Sequence, residues 1–201
     1  PMWSLRSTDD LPLWREASPD PDVILAFATR RGGVSAPPFD TLNVGRSTED
    51  RAEAVAENRR RLLTACGLDP ERVATAGQVH GATVATVTEA GHSPSCDALL
   101  TRTPGLTLAV TTADCMSLLF IAPGTVAAAH SGWRGTAAGM PLATLDAVCR
   151  SAGVSADRVT VHFGPCIRGC CYVVGPEVAA AFPSEAVSRR GSDIRLDLPL
   201  A

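Results

Sequence analysis

This 201-residue sequence has no basic excess: 18 basic side chains stand against 21 acidic ones, a formal net charge of −3. That balance argues against the basic footprint of a chain that grips nucleic acid or anionic membrane non-specifically. No long hydrophobic run is present either. The most apolar region, from Met116 to Ala129, is broken by Pro123-Gly124 and falls short of the roughly 20 residues a membrane-spanning helix needs. The opening stretch PMWSLRSTDDLPLW lacks a basic segment followed by an apolar one, so it does not resemble a secretory signal. No disulfide framework is evident, since the seven cysteines form an odd and scattered set. A soluble cytoplasmic protein with small-molecule partners is the resulting expectation. A chain of this length buries about 70% of the surface its unfolded form exposes, so stability needs no disulfide or metal. Repeats, low-complexity tracts and convincing linkers are also missing, which leads to the expectation of one α+β domain of packed, largely antiparallel or mixed sheets flanked by helices.

What is present can be read in order. VILAF, Val23 to Phe27, predicts a strand before the loop TRRGGVSAPPFDTLNVG. A helix follows over STEDRAEAVAENRRRLLTACG, with Ser47 and Asp50 as a capping box and Gly67 as its end. Short β-prone runs lie at Arg72 to Ala76, Thr83 to Thr88, Asp97 to Thr101, Leu106 to Thr111 and Val159 to Phe163. After Arg134, Pro141 predicts a helix that starts late or is kinked. Pro176 to Phe182 predicts a short helix with proline in its first turn.

The stretch ADCMSLLFIAPGTVAAAHSGWRG reads as a core hairpin bracketed by reactive groups. A turn centred on Ala122-Pro123 pairs Cys115 with His130 across the strands. Directly opposed residues bring their Cβ atoms to about 4.5–5.5 Å, from which a thiolate and an imidazole can converge on one ion. Of the four histidines, His80, in a glycine-flanked turn, is the natural third ligand, whereas His92 and His162 read as structural or solvated. The alternative for the trio is a packed thiol beside two hydrogen-bonded histidines. CIRGCC is a rival metal motif, but its spacing is not that of a zinc ribbon. Neighbouring Cys170 and Cys171 are expected to point apart, in a packed turn.

TRRGGVS, PFDTLNVG, NRRRLL, GQVHGATV, CDALLT, TTADCMSLLF, AAAHSGWRG and GPCIRGCCYVVGPEV occur in the order that resembles the multicopper polyphenol oxidase, or laccase domain, family. Its bacterial members are also described as purine nucleoside phosphorylases or peptidoglycan editing factors. The resemblance covers roughly Phe27 to Val178. It implies a single α+β domain with zinc held by His80, Cys115 and His130. Zinc ranks above copper, because one cysteine and two histidines match neither the copper sites of true laccases nor a site with a long axial methionine. The implied activity is phosphorolysis of adenosine, inosine, guanosine or methylthioadenosine, with adenosine deamination beside it. Three protein ligands leave a fourth position open. Asp114 is then a candidate proton shuttle, and Arg134, or Arg30 with the Gly32-Gly33 backbone, a candidate phosphate clamp. Asn43 and Gln78 complete the substrate-binding candidates.

Each of these candidates also has a structural alternative: an exposed loop carboxylate or turn cap for Asp114, a loop brace for Arg134, a left-handed turn for Asn43. Trp133 is either a stacking wall for a base or a buried anchor. Alternative activities are a zinc amidase editing peptidoglycan precursors, a copper-dependent polyphenol oxidase, and a metal-binding or interaction protein without catalysis. Family chains continue beyond a segment like Ile194 to Leu198, whereas this sequence stops at Ala201, so the C-terminal part of the pattern is expected to be missing. The sequence does not fix an oligomeric state.

Overall fold

The computed structural model describes every residue except 1–3, 9, 10, 17 and 19. The chain divides into two compact units, 1–73 and 74–201. In the first, β1 (Ser4–Thr8), β2 (Leu11–Glu16) and β3 (Leu25–Ala28) form an antiparallel sheet. β3 thus begins two residues later than VILAF suggested. Leu11 and Leu13 of β2 point into a core shared with Leu42, Leu62 and Cys66. The last two belong to helix α1 (Ala52–Cys66).

The expected capping box at Ser47 and Asp50 does not form: Arg51 is the N-cap and contributes no side-chain cap. Asp50 is engaged elsewhere. Its carboxylate accepts from the Ser35 hydroxyl at 2.6 Å and the Asn43 amide at 3.0 Å, so long-range loop contacts outcompete the local cap. Gly67 does end the helix, in the left-handed conformation at φ 74°, with the Leu68 amide donating to the Leu63 carbonyl.

The second unit contains β4 (Val73–Ala76, starting at the boundary), β5 (Val84–Thr86), β6 (Gly91–Ser93), β7 (Ala98–Thr101), β8 (Thr107–Ala109), β9 (Met116–Ala122) and β10 (Thr125–Ser131). Helices α2 (Trp133–Ala137) and α3 (Met140–Ala152) come next, then β11 (Thr160–Phe163), β12 (Val173–Val174), α4 (Pro176–Ala179), β13 (Val187–Arg190) and β14 (Asp193–Leu196). Five strands in the order β11-β9-β10-β7-β5 make a mixed sheet, antiparallel except for β5 beside β7. Two three-stranded sheets, β6-β4-β8 and β12-β14-β13, accompany it. The α+β class and the antiparallel and mixed sheets with flanking helices match the sequence reading.

β9 is buried on both faces, which is why it reads as an apolar run rather than an alternation. Met116, Leu118, Phe120 and Ala122 meet Met140 and Val148 of α3 on one face. Full burial of each such large side chain stabilises the fold by about 1.5–3 kcal/mol. On the other face Leu99 of β7 packs with Ala74 and Ala76 of β4. Pro141 starts a helix late, as one of the two expectations had it: Gly139, at φ 82°, separates α2 from α3, and the proline occupies the first turn. Among the described residues, no helix is long and apolar enough to cross a membrane.

The hairpin register requires a correction. Its turn is Pro123-Gly124, with Gly124 at φ 63°, and Thr125 pairs with Ala122. His130 therefore faces Ser117, not Cys115. The displacement is two residues, an even number. Because side chains alternate along a strand, Cys115 stays on the same side as Ser117 and His130, away from α3.

Candidate metal centre

Three chain segments deliver the candidate ligands. Cys115 immediately precedes β9, His130 is the penultimate residue of β10, and His80 lies in the turn between β4 and β5. Their ligand atoms all lie within 4.8 Å of one another. The two imidazoles meet edge-on, with centroids 4.9 Å apart and planes at 85°. Bond lengths of about 2.0–2.3 Å to zinc place tetrahedral donors roughly 3.5 Å apart, so the trio needs only a small contraction.

Asp97, one residue before β7, organises the site, although its place in the CDALLT motif did not single it out as a site residue. Its carboxylate is fully buried and one oxygen lies 3.0 Å from His130 Nδ1. The same carboxylate accepts from the His80 and Gly81 amides, both at 2.8 Å. An Nδ1–H donated to Asp97 leaves His130 Nε2 as the nitrogen available to a metal, as in carboxylate-histidine arrangements of metal sites. The turn is also conformationally costly: Gln78 and His80 both sit in the left-handed region, at φ 59° and 64°. Bonds to fixed partners hold them there. Gln78 donates its side-chain amide to the Thr111 carbonyl at 2.6 Å and accepts from the Thr111 amide at 3.0 Å.

Gly132, the N-cap of α2, has an ordinary φ of −72° that any residue adopts. Space is what requires glycine here. A Cβ would stand 2.9 Å from Cys115 Sγ and 3.1 Å from His80 Cδ2. The cradle is thus shaped by the lack of a side chain. Burial pushes the Cys115 thiol above its ordinary pKa, reinforced by Asp114 and Asp97. Those surroundings oppose a bare thiolate, and a bound dication would reverse the balance. One soft thiol, two imidazoles, one of them oriented by a carboxylate, and the nearby Asp97 and Asp114 together suit a borderline-soft cation.

Around the trio, Asp114 is exposed and its carbonyl accepts from the Ile167 amide at 2.9 Å. The Arg134 guanidinium lies 4.5 Å above the Trp133 ring. Trp133 packs against the cluster of Val178, Ala186, Leu196 and Leu198, as an anchor does. Tyr172 packs there too. Burial raises its phenol pKa, then Cys115 and Asp114 raise it further while Arg134 lowers it. This lone tyrosine therefore shares the electrostatic surroundings of the centre, although nothing in CCYVV singled it out. His92 is exposed beside Thr75, with Nδ1 3.1 Å from the hydroxyl, and His162 is buried in β11; neither joins the trio.

The remaining candidates lie in the first unit. Arg30 donates twice to the Asp40 carbonyl, at 2.9 and 2.7 Å, and is exposed. The Gly33 amide donates to Thr41 Oγ1 at 3.2 Å, and a Cβ there would come within 2.1 Å of the Thr41 carbonyl oxygen. Gly32 supplies the turn at φ 91°. Asn43 bonds Thr48, Asp50 and the Gly45 amide; its backbone is not left-handed, so the turn conformation weighed for it does not form, and its side chain ties the loop instead.

A mixed-sheet α+β unit with a His-Cys-His cradle at the mouth of a core hairpin sets the context for comparison with known proteins. Residues 24–201 match the family model described as multi-copper polyphenol oxidoreductase laccase, and the chain belongs to that family. Among curated proteins it is 42% identical over 161 residues to purine nucleoside phosphorylase ORF3 of Streptomyces griseus, covering 77% of this chain but only 65% of that protein. It is 41% identical over 194 residues to the purine nucleoside phosphorylase of Deinococcus radiodurans, covering 94% of this chain and 75% of the relative. The crystal structure of YlmD from Geobacillus stearothermophilus superposes with a TM-score of 0.85 at 31% identity, over 96% of this chain and 79% of that one.

Proposed function

We propose that this protein is a zinc-dependent purine nucleoside phosphorylase, splitting adenosine, inosine, guanosine or methylthioadenosine into base and sugar phosphate, with adenosine deamination as a second activity. The observation that carries this reading is the clustering of His80, Cys115 and His130 in a chain whose relatives bear the phosphorylase name. Zinc is favoured over copper because the described methionines, Met116 and Met140, pack into the core on the α3 face rather than beside the trio. In this reading the partners are a nucleoside and phosphate, not nucleic acid or membrane, and the place of action is the cytoplasm.

His80, Cys115 and His130 would hold the zinc ion, which when bound would supply Lewis acidity to the substrate. Asp97 keeps His130 in one tautomer and the 80–81 turn in place. Asp114, exposed beside Cys115, carries a proton to or from the departing base. Arg134 presents a planar guanidinium, steadied on Trp133, to a phosphate oxygen pair. Arg30 and the Gly32-Gly33 turn are the second anion-binding candidate, in which Arg30 exchanges Asp40 for the anion. Asn43 and Gln78 act by holding their loops.

Incubation of the protein with adenosine, in phosphate and in phosphate-free buffer, separates the activities by product. Phosphorolysis yields adenine and ribose phosphate only with phosphate, while deamination yields inosine in both buffers. Absence of turnover with all four nucleosides, on protein shown to contain stoichiometric metal, overturns the reading.

A further inference from the structure

The CIRGCC segment plays no part in the proposed reaction, and the structure corrects the expectation that its neighbouring cysteines diverge. Cys170 Sγ and Cys171 Sγ stand 3.3 Å apart, and both residues are exposed. The turn that brings them together closes on the Arg168 carbonyl, which accepts from the Cys171 and Tyr172 amides, each at 2.9 Å. Arg168 is tied in turn to Asp197 at 2.7 Å. Arg195 donates to the Cys170 carbonyl and pairs with Asp193 at 3.0 Å. The pair is thus mounted on a backbone held at two points, with cationic groups beside it.

We propose that Cys170 and Cys171 form a reversible vicinal dithiol–disulfide site that reacts with low-molecular-weight disulfides. The Cys170 thiolate attacks one sulfur of the incoming disulfide, forming a mixed disulfide and releasing one thiolate. Cys171, after losing its proton to solvent, attacks the Cys170 sulfur and releases the second thiolate. The protein gives up two electrons and two protons, and the reagent is reduced to two thiols. The order of attack follows from the contact between the sulfurs. Cys171 holds its proton more tightly than an ordinary thiol, first because it hydrogen-bonds Cys170, which suits it to the resolving step rather than to the first attack.

Burial of other thiols makes the site selective, and the geometry of its ring makes it reversible. Cys66 and Cys96 are buried, with thiols pushed up by that burial, so they present little thiolate to a reagent in solvent. Consecutive Cα atoms lie about 3.8 Å apart across a trans peptide, below the roughly 4.4–6.8 Å span of relaxed disulfides. The closed ring is strained and belongs to the easily reduced class.

The test uses the full chain in its native state. It is incubated with oxidised glutathione, remaining thiols are alkylated under denaturing conditions, and peptides are mapped by mass. The expected product is a peptide containing both cysteines, unalkylated and lighter by two hydrogens, returned to the dithiol by dithiothreitol, with Cys66 and Cys96 alkylated throughout. Cys170→Ser and Cys171→Ser each lack a resolving partner and are expected to retain glutathione on the remaining cysteine. Full alkylation of both cysteines after oxidant treatment, glutathione persisting on wild-type Cys170 without ring closure, or a crosslink from either cysteine to Cys166 or to a second chain would each overturn the proposal.

Discussion

Asp97 holds His130 by its side chain and its backbone at once: the carboxylate lies 3.0 Å from Nδ1, and the Asp97 carbonyl accepts the His130 amide at 2.8 Å. Asp97→Asn keeps the shape but removes the charge and turns an acceptor into a donor. The expected result is zinc affinity lowered by about 10–100-fold, the scale of second-shell losses at metal sites. Competition with a chromophoric chelator measures it, and unchanged affinity would remove Asp97 from the centre.

Cys115→Ser is expected to lose most bound metal and nearly all nucleoside turnover while retaining the circular dichroism of the native fold. A serine hydroxyl is a far poorer ligand than a thiolate, and the core around Met116 and Leu118 does not rely on an ion. Stoichiometric zinc in the variant would refute the ligand assignment.

Gly132→Ala separates space from backbone freedom. Its φ of −72° accommodates alanine, yet the new methyl group would meet Cys115 Sγ at 2.9 Å. We expect metal content and activity to fall sharply while the urea midpoint moves little. A variant that binds zinc normally would mean that the cradle has more room than the geometry indicates.

Asn58 reaches back from α1, fully buried, to bond the Val34 amide, the Ser35 hydroxyl and the Thr41 and Asn43 carbonyls. Truncation to alanine leaves several buried groups unpaired and is expected to cost about 3 kcal/mol. Urea unfolding gives the value, and a loss within roughly 0.5 kcal/mol would show that the loop is held by other means.

Asp50 has a carboxyl pKa below its ordinary value of 3.8, first through the Ser35 hydroxyl and, despite opposing burial, also through Asn43. A depressed native pKa adds stability above the unfolded value, and that stability is lost as pH falls through the native one. The gap in urea midpoint between the wild type and Asp50→Asn is therefore expected to narrow below pH 3.8. A gap that does not change with acid would mean that Asp50 acts through shape alone.

Local signals were legible where backbone chemistry is local. Gly67 ended α1, Pro141 delayed α3, Pro176 opened α4, and the apolar run before Pro123 became β9. The trio was legible because parity survives a register error of two residues. Asp97 was not, because its role depends on β7 running beside β10 and on a turn more than ten residues upstream. The failed cap at Asp50 and the touching sulfurs of Cys170 and Cys171 share that cause: tertiary partners decided what sequence neighbours left open. β1 and β2, whose central positions pair Arg6 with Leu13, carried too little alternation to be assigned beforehand.

The hairpin also sets a rule for how chains of this kind can vary in length. Extra residues at Pro123-Gly124 only enlarge a turn and leave the paired strands as they are. A single residue gained or lost between Thr125 and His130 would rotate the imidazole to the α3 side of the sheet, unless a bulge absorbed it. Insertions and deletions compatible with a working centre are thus confined to the turn, or come in twos within the strands, so that evolutionary drift here is filtered by whether a number is odd or even.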